Sequence, residues 1–207
     1  MPEHTGIEAG SRGGPAARLG GFSRAAFALA ALVLMYGPFL AAHIRNSADP
    51  FLFNDDARQF VVPFVVPGSA SAYYLTYLSA GYQVLYRLGA LVVDPIALSK
   101  ILPYPLLLVV LGGVAIAAAR LGGVAAGFAA VALSLSTSLF LDRIAGGIPR
   151  AFGFPCLAGA AVALVAGRAG WLAALVVLSA AFYPSAAVVT GAALALVTLG
   201  LPARDRG

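Results

Sequence analysis

From Trp171 to Gly200 the chain runs through 30 residues without a charged side chain. As one α-helix that run would be about 45 Å long, half as long again as the roughly 30 Å hydrocarbon core of a bilayer. Tyr183-Pro184-Ser185 interrupts it, which leaves two solutions: one kinked, tilted span, or a tight hairpin of two shorter ones. Ala25 to His43, Ile96 to Ala119 and Leu121 to Leu141 are also apolar and of membrane-crossing length, and Phe152 to Gly167 is a shorter fourth stretch. With 61% hydrophobic and 10% charged residues and a mean hydropathy of +0.92, the chain lies far from soluble domains, where about 25% charge is usual. These runs predict an all-α polytopic membrane bundle of five or six transmembrane helices, surrounded by membrane lipids.

The remaining segments fall around this bundle. Residues 1–23 combine Gly, Pro, Ser and Arg with few large apolar side chains, and predict a disordered cytoplasmic tail. The transmembrane domain then covers 24–201, with 44–95 as an extracytoplasmic loop, and 202–207 form a C-terminal tail. The apolar stretch from Ala25 to Ala42 exceeds the usual length of a signal-peptide core, so an uncleaved anchor is expected. The thirteen Lys and Arg are scattered singly at the ends of apolar runs, a distribution that excludes nucleic acid as a partner. Cys156 is the single cysteine, which excludes an internal disulfide and any CxxC site, and His4 and His43 draw no metal centre.

Ser71 to Val93 differs from the other stretches. It holds five of the eight tyrosines, and Thr76, Ser79, Gln83 and Arg87 recur at helical spacing as one polar stripe. An amphipathic helix at the membrane interface fits this pattern, because a tyrosine ring is apolar and its hydroxyl seeks water. A spanning helix with its stripe turned to other helices is the alternative. Counting positive charges does not decide between them, since each topology puts seven on the cytoplasmic side. In both, Arg12, Arg18 and Arg24 hold the N-terminus in the cytoplasm of a multi-pass inner-membrane protein, which sets Asp55 and Asp56 outside. Gly123 and Gly127 form a GxxxG pattern for close helix packing. Ser134, Ser136, Thr137 and Ser138 can bond across helices or to their own backbone.

Of eight acidic residues, Glu3, Glu8 and Asp205 lie in the tails, which makes the adjacent pair in Asn54-Asp55-Asp56-Ala57-Arg58-Gln59 conspicuous. Asp55 and Asp56 can hold a hard divalent cation together with a phosphate, or one can take a proton from an acceptor hydroxyl; a solvated loop is the plain alternative. Arg58 can bind a phosphate through its planar fork, or pair with a carboxylate or lipid headgroup. The second cluster runs from Asp142 to Arg150. Gly146, Gly147 and Pro149 shape a turn there whose amides, beside Arg143 and Arg150, can cradle an anion; a short loop with snorkelling arginines is the alternative. Asp94-Pro95 reads as a helix start. No phosphate-binding P-loop, nucleophile elbow or dinucleotide fingerprint occurs.

The Asp-Asp loop after a first span, Gly81-Tyr82, Leu85-Tyr86 and Lys100-Ile101-Leu102-Pro103 together resemble a group of bacterial polytopic membrane proteins. Gly146-Gly147-Ile148-Pro149-Arg150-Ala151-Phe152 followed by Phe154-Pro155 looks like a later signature of that group, and the resemblance covers about residues 25–200. The group is similar in layout to GT-C type membrane glycosyltransferases, which transfer sugars from polyprenyl-phosphate donors. The resemblance implies that Asp55 and Asp56 match the acidic motif of the first extracytoplasmic loop, as base or metal ligand. It also implies that Arg143 and Arg150 are candidates for the donor phosphate. Such enzymes are several hundred residues long, so the chain corresponds to an N-terminal module, and a partner chain supplying the C-terminal part is expected. A non-catalytic transport or assembly subunit, or a fragment without independent activity, are the competing expectations.

Overall fold

The computed structural model describes residues 36–38, 55–61, 67–137, 143–144 and 147–200. Both tails, most of the first apolar stretch with His43, and Asp142, Gly146 and Ser138 lie outside the described residues. The fold is all-α: α1 (Asp55–Arg58), α2 (Ala70–Tyr77), α3 (Ala80–Gly89), α4 (Pro95–Ile101), α5 (Pro103–Ser136), a 3₁₀ turn (Pro149–Phe152), α6 (Gly153–Val165), α7 (Ala169–Phe182) and α8 (Pro184–Gly200). Asp94 caps α4, its carboxylate accepting from the Ile96 and Ala97 amides at 3.0 and 3.1 Å, with Pro95 in the first turn. That is the helix start read from the sequence.

The helical run from Pro95 to Ser136 is long and apolar enough to cross a membrane. Its most apolar window has a mean hydropathy of 2.3 and is only 28% buried, unlike the core helix of a soluble domain. This run is not one rod. Gly123 has φ 80° and ψ −179°, a backbone conformation open to glycine and strained for other residues. Beyond it the chain turns back: a Cβ on Gly127 would stand 3.0 Å from the Ala115 carbonyl oxygen and 3.2 Å from the Ala119 Cβ. A straight helix would hold residues 115 and 127 about 18 Å apart. Residues 103–122 and 124–136 are therefore antiparallel limbs of a hairpin, about 30 Å and 20 Å long. Leu107, Val110 and Leu111 of the first limb share a core with Val131 of the second, Ile144 and Ala158. Tyr36 joins this core and donates to the Tyr104 carbonyl at 2.7 Å. The GxxxG reading is corrected accordingly: Gly123 makes the turn, and only Gly127 packs, against the chain's own first limb.

Three shorter apolar helical stretches follow, Pro149–Val165, Ala169–Phe182 and Pro184–Leu199. α6 lies on the first limb of α5, where Gly113 leaves no room for a side chain because its Cβ would meet the Ala158 Cβ at 2.8 Å. α7 returns along α6. Tyr183 takes extended geometry at φ −150° and ψ 93°, and α8 starts at Pro184. Leu172 packs with Ala160 and Ala163, and Leu175, Ala193, Leu194 and Val197 close over them. Of the two solutions open for the 30-residue run, the chain adopts the tight hairpin. Ser134, Ser136 and Thr137 bond to carbonyls one turn back in their own helix, at 2.8, 3.0 and 2.7 Å.

The tyrosine-rich stretch is two helices where one was expected. Leu78 is extended, and the carbonyls of Leu75 in α2 and of Leu78 just after it accept from the Gln83 side-chain amide at 2.8 and 2.9 Å. Ser79 donates to the Phe182 carbonyl at 2.5 Å, which docks the break onto the end of α7. Half of the polar stripe is thus engaged in capping and docking, while Thr76 bonds the Tyr73 carbonyl of its own helix and Arg87 is exposed. The tyrosines divide as well: Tyr73, Tyr74 and Tyr77 are exposed, whereas Tyr82 and Tyr86 are fully buried. Tyr73 and Tyr77, like Tyr82 and Tyr86, are spaced i, i+4, which only sets each pair on one helix face; what buries Tyr82 and Tyr86 is the packing of their face against Phe60 and Phe152.

Candidate functional site

One end of the bundle collects segments from four parts of the sequence. Ala57 and Phe60, next to the carboxylates, are buried with Leu75, Tyr82, Tyr86 and Phe152, with Leu98, Leu102 and Phe182 packed around them. Phe60 stacks on Tyr86 at 5.2 Å between centroids and meets Tyr82 edge-on at 5.9 Å; Tyr82 meets Phe152 edge-on at 5.9 Å, and Phe152 stacks on Phe182 at 5.1 Å. Geometries of this kind are each worth about 0.5–1.5 kcal/mol beyond the area they bury. This aromatic cluster was not read from the sequence. Its only local signal is the Tyr82–Tyr86 spacing, because the other rings come from distant segments.

The cluster fixes the acidic segment. α1 turns Ala57 inward against α4, so that Asp56 is half-buried at the rim and Arg58 is exposed. Asp56 Oδ1 accepts the Tyr74 hydroxyl at 2.5 Å, which ties α1 to α2. Asp55 belongs to the same helix. Nearby, the Tyr77 hydroxyl donates to Tyr73 Oη at 2.5 Å. That bond, more than any burial, holds the Tyr77 proton above the ordinary tyrosine range.

The same cluster fixes the glycine-rich turn. Gly147, at φ +57°, is buried, and a Cβ there would stand 3.2 Å from both the Leu102 Cβ and the Tyr86 oxygen. Tyr86 donates to the Gly147 carbonyl at 3.2 Å. A Cβ on Gly147 would also lie 3.3 Å from the Ser99 carbonyl, which Pro103 leaves without its helical donor. Gly147 therefore serves close packing of the turn onto α3 and α4. Arg150 follows in the 3₁₀ turn, half-buried, and its Nε is fully buried without a hydrogen-bond partner among the described residues. Arg143 is exposed. The fold thus brings the Asp55–Arg58 helix and the Gly147–Arg150 turn to one end, joined through Phe60 and Tyr86. Lys100 is exposed on α4 at this end. Arg120 and Arg168 stand together at the other end, along one cleft.

Among the described residues, no group of three or more His, Cys, Asp or Glu side chains gathers to hold a metal. The adjacent carboxylates suit a hard cation that brings most of its ligands with it, as water and phosphate oxygens. They do not suit an all-protein cage. Chemically, the end offers the Asp56 carboxylate at a rim and a guanidinium N–H that lacks an acceptor among the described residues. Compared with known protein families, curated proteins and solved structures, the chain matches none.

Proposed function

We propose that the chain is a multi-pass protein of the bacterial inner membrane, with the first apolar stretch, the two limbs of α5, and α6, α7 and α8 as six spans. The N-terminus is cytoplasmic, and α1 to α4 lie at the extracytoplasmic face. Support comes from the outward apolar side chains of these helices: Val177, Val188, Leu196 and Leu199 are 71%, 73%, 74% and 84% exposed, which a lipid surround accommodates and water does not. The helices after α5 are shorter than the usual span of about 20 residues, so the bilayer thins around them or the flanking residues reach outward.

The function best supported at this site is that of a GT-C-like glycosyltransferase module, moving a sugar from a polyprenyl-phosphate donor to a hydroxyl. Asp55 or Asp56 takes the proton of the acceptor hydroxyl, whose oxygen attacks the anomeric carbon with inversion. The bond from that carbon to the phosphate oxygen breaks, and its electron pair leaves on the lipid phosphate. Arg150, with Arg143 and Arg58 nearer solvent, receives that charge. The observation that carries this reading is the buried Arg150 Nε, without a partner among the described residues, at the same end as the Asp55–Arg58 helix. An unmet buried donor costs about 1–3 kcal/mol, a cost that a shift of the Arg150 side chain toward a bound phosphate relieves.

The test is sugar transfer from a radiolabelled polyprenyl-phosphate donor in membranes, with wild type, Asp55→Asn, Asp56→Asn and Arg150→Gln. Loss of one general base predicts a fall of about 10²- to 10⁴-fold for one aspartate variant. Transfer by both aspartate variants at the wild-type rate sinks the acidic site.

A further inference from the structure

The cleft at the opposite end of the bundle has no part in this chemistry. It opens between the first limb of α5, α6 and the start of α7, with a volume of about 380 Å³. Gly113 and Gly159 line it where the helices pack closely, and Val109, Val162 and Leu175 make its lining apolar. Arg120 and Arg168 both line it and are both exposed. Neither guanidinium has an ion-pair or hydrogen-bond partner among the described residues, and no acidic residue lines the cleft. Trp171 stands beside them, 63% exposed, in a position that suits an indole at a membrane–water interface. From Val109 to Arg120 the cleft runs about 16 Å along the helix, close to one leaflet of a bilayer core of roughly 30 Å.

We propose that this cleft docks one anionic phospholipid, with one of its two acyl chains against Val109 and Leu175 and its phosphate between Arg120 and Arg168. The apolar walls call for a chain, the two unpaired guanidinium groups call for a phosphate, and the leaflet-deep length joins the two. An aqueous anion would meet the arginines and gain nothing from the walls; a zwitterionic lipid would bring its own cation against them. The inference rests on the membrane reading and is independent of the sugar-transfer chemistry.

Native mass spectrometry of the full-length chain in mild detergent tests it, titrating phosphatidylglycerol, phosphatidylcholine and inorganic phosphate. One phosphatidylglycerol binds in preference to phosphatidylcholine, and inorganic phosphate does not compete. Arg120→Gln with Arg168→Gln weakens binding about thirtyfold, as expected for two charges at a membrane surface. Val109→Trp, which fills the cleft and keeps both charges, also removes the adduct, and unchanged circular dichroism shows that both variants fold. Equal retention of the two lipids overturns the proposal, as does undiminished binding in either variant or displacement by inorganic phosphate. The transfer assay on the same variants reads the other end of the molecule, so failure of one proposal is distinguishable from failure of the other.

Discussion

Arg150 and Tyr86 sit in the same end of the bundle, yet their side chains answer to different demands. Tyr86 is fully buried, stacks on Phe60 and donates to the Gly147 carbonyl. Tyr86→Phe keeps the ring and removes the donor to the buried Gly147 carbonyl, so thermal unfolding in detergent should show a loss of about 1–3 kcal/mol. Arg150 carries a buried N–H that is unmet among the described residues. Arg150→Met should therefore leave stability unchanged or raise it by up to about 1 kcal/mol, while removing any response to added polyprenyl phosphate. A clear loss of stability in Arg150→Met would mark the residue as structural. The sequence put Asp56, Arg58 and Arg150 on the candidate roll through residue type and spacing. Whether a guanidinium nitrogen is buried and unpaired depends on neighbours from other segments, and no local pattern encodes that.

Among the elements, the α5 hairpin has the sharpest consequence. Leu111 and Val131 share one core cluster, whereas a straight helix would set them about 30 Å apart. Cysteines at these two positions, in a Cys156→Ser background, should cross-link on mild oxidation in membranes; absence of the cross-link would show a continuous helix. Gly123→Val should destabilise the same hairpin by about 1–2 kcal/mol, since an L side chain at positive φ meets its own backbone. The sequence reading had already divided this stretch at Arg120 on length alone, because two bilayer-length runs meet there. It assigned Gly123 to a packing face, since glycines four apart suit a helix face as well as a turn. Similarly, the polar stripe of Thr76, Ser79, Gln83 and Arg87 was legible, but its use was not. Gln83 and Ser79 spend their hydrogen bonds on carbonyls of α2 and α7, partners fixed only by docking.

Across the whole molecule, the two clusters of charge divide between the two ends, with Arg143 and Asp94 on the side of the carboxylates and Arg168 on the other. Single cysteines at positions 94, 143 and 168, each in the Cys156→Ser background, should label accordingly. In intact cells a membrane-impermeant maleimide should reach the first two and not the third; uniform labelling of all three would refute the spanning arrangement. What the sequence determined by itself is the local character of each segment: apolar runs long enough to cross a bilayer, a low share of charge, a helix start at Asp94-Pro95 and an interruption at Tyr183-Pro184-Ser185. Those are local properties, set by side-chain transfer and backbone chemistry. Tertiary structure alone decided that α5 folds back at Gly123, that Tyr82 and Tyr86 leave the interface for a core, and that the Asp55–Arg58 helix meets the Gly147–Arg150 turn. Each depends on which distant residues a helix face finds to bury against, and the free energy of that choice belongs to the pair of surfaces rather than to either sequence.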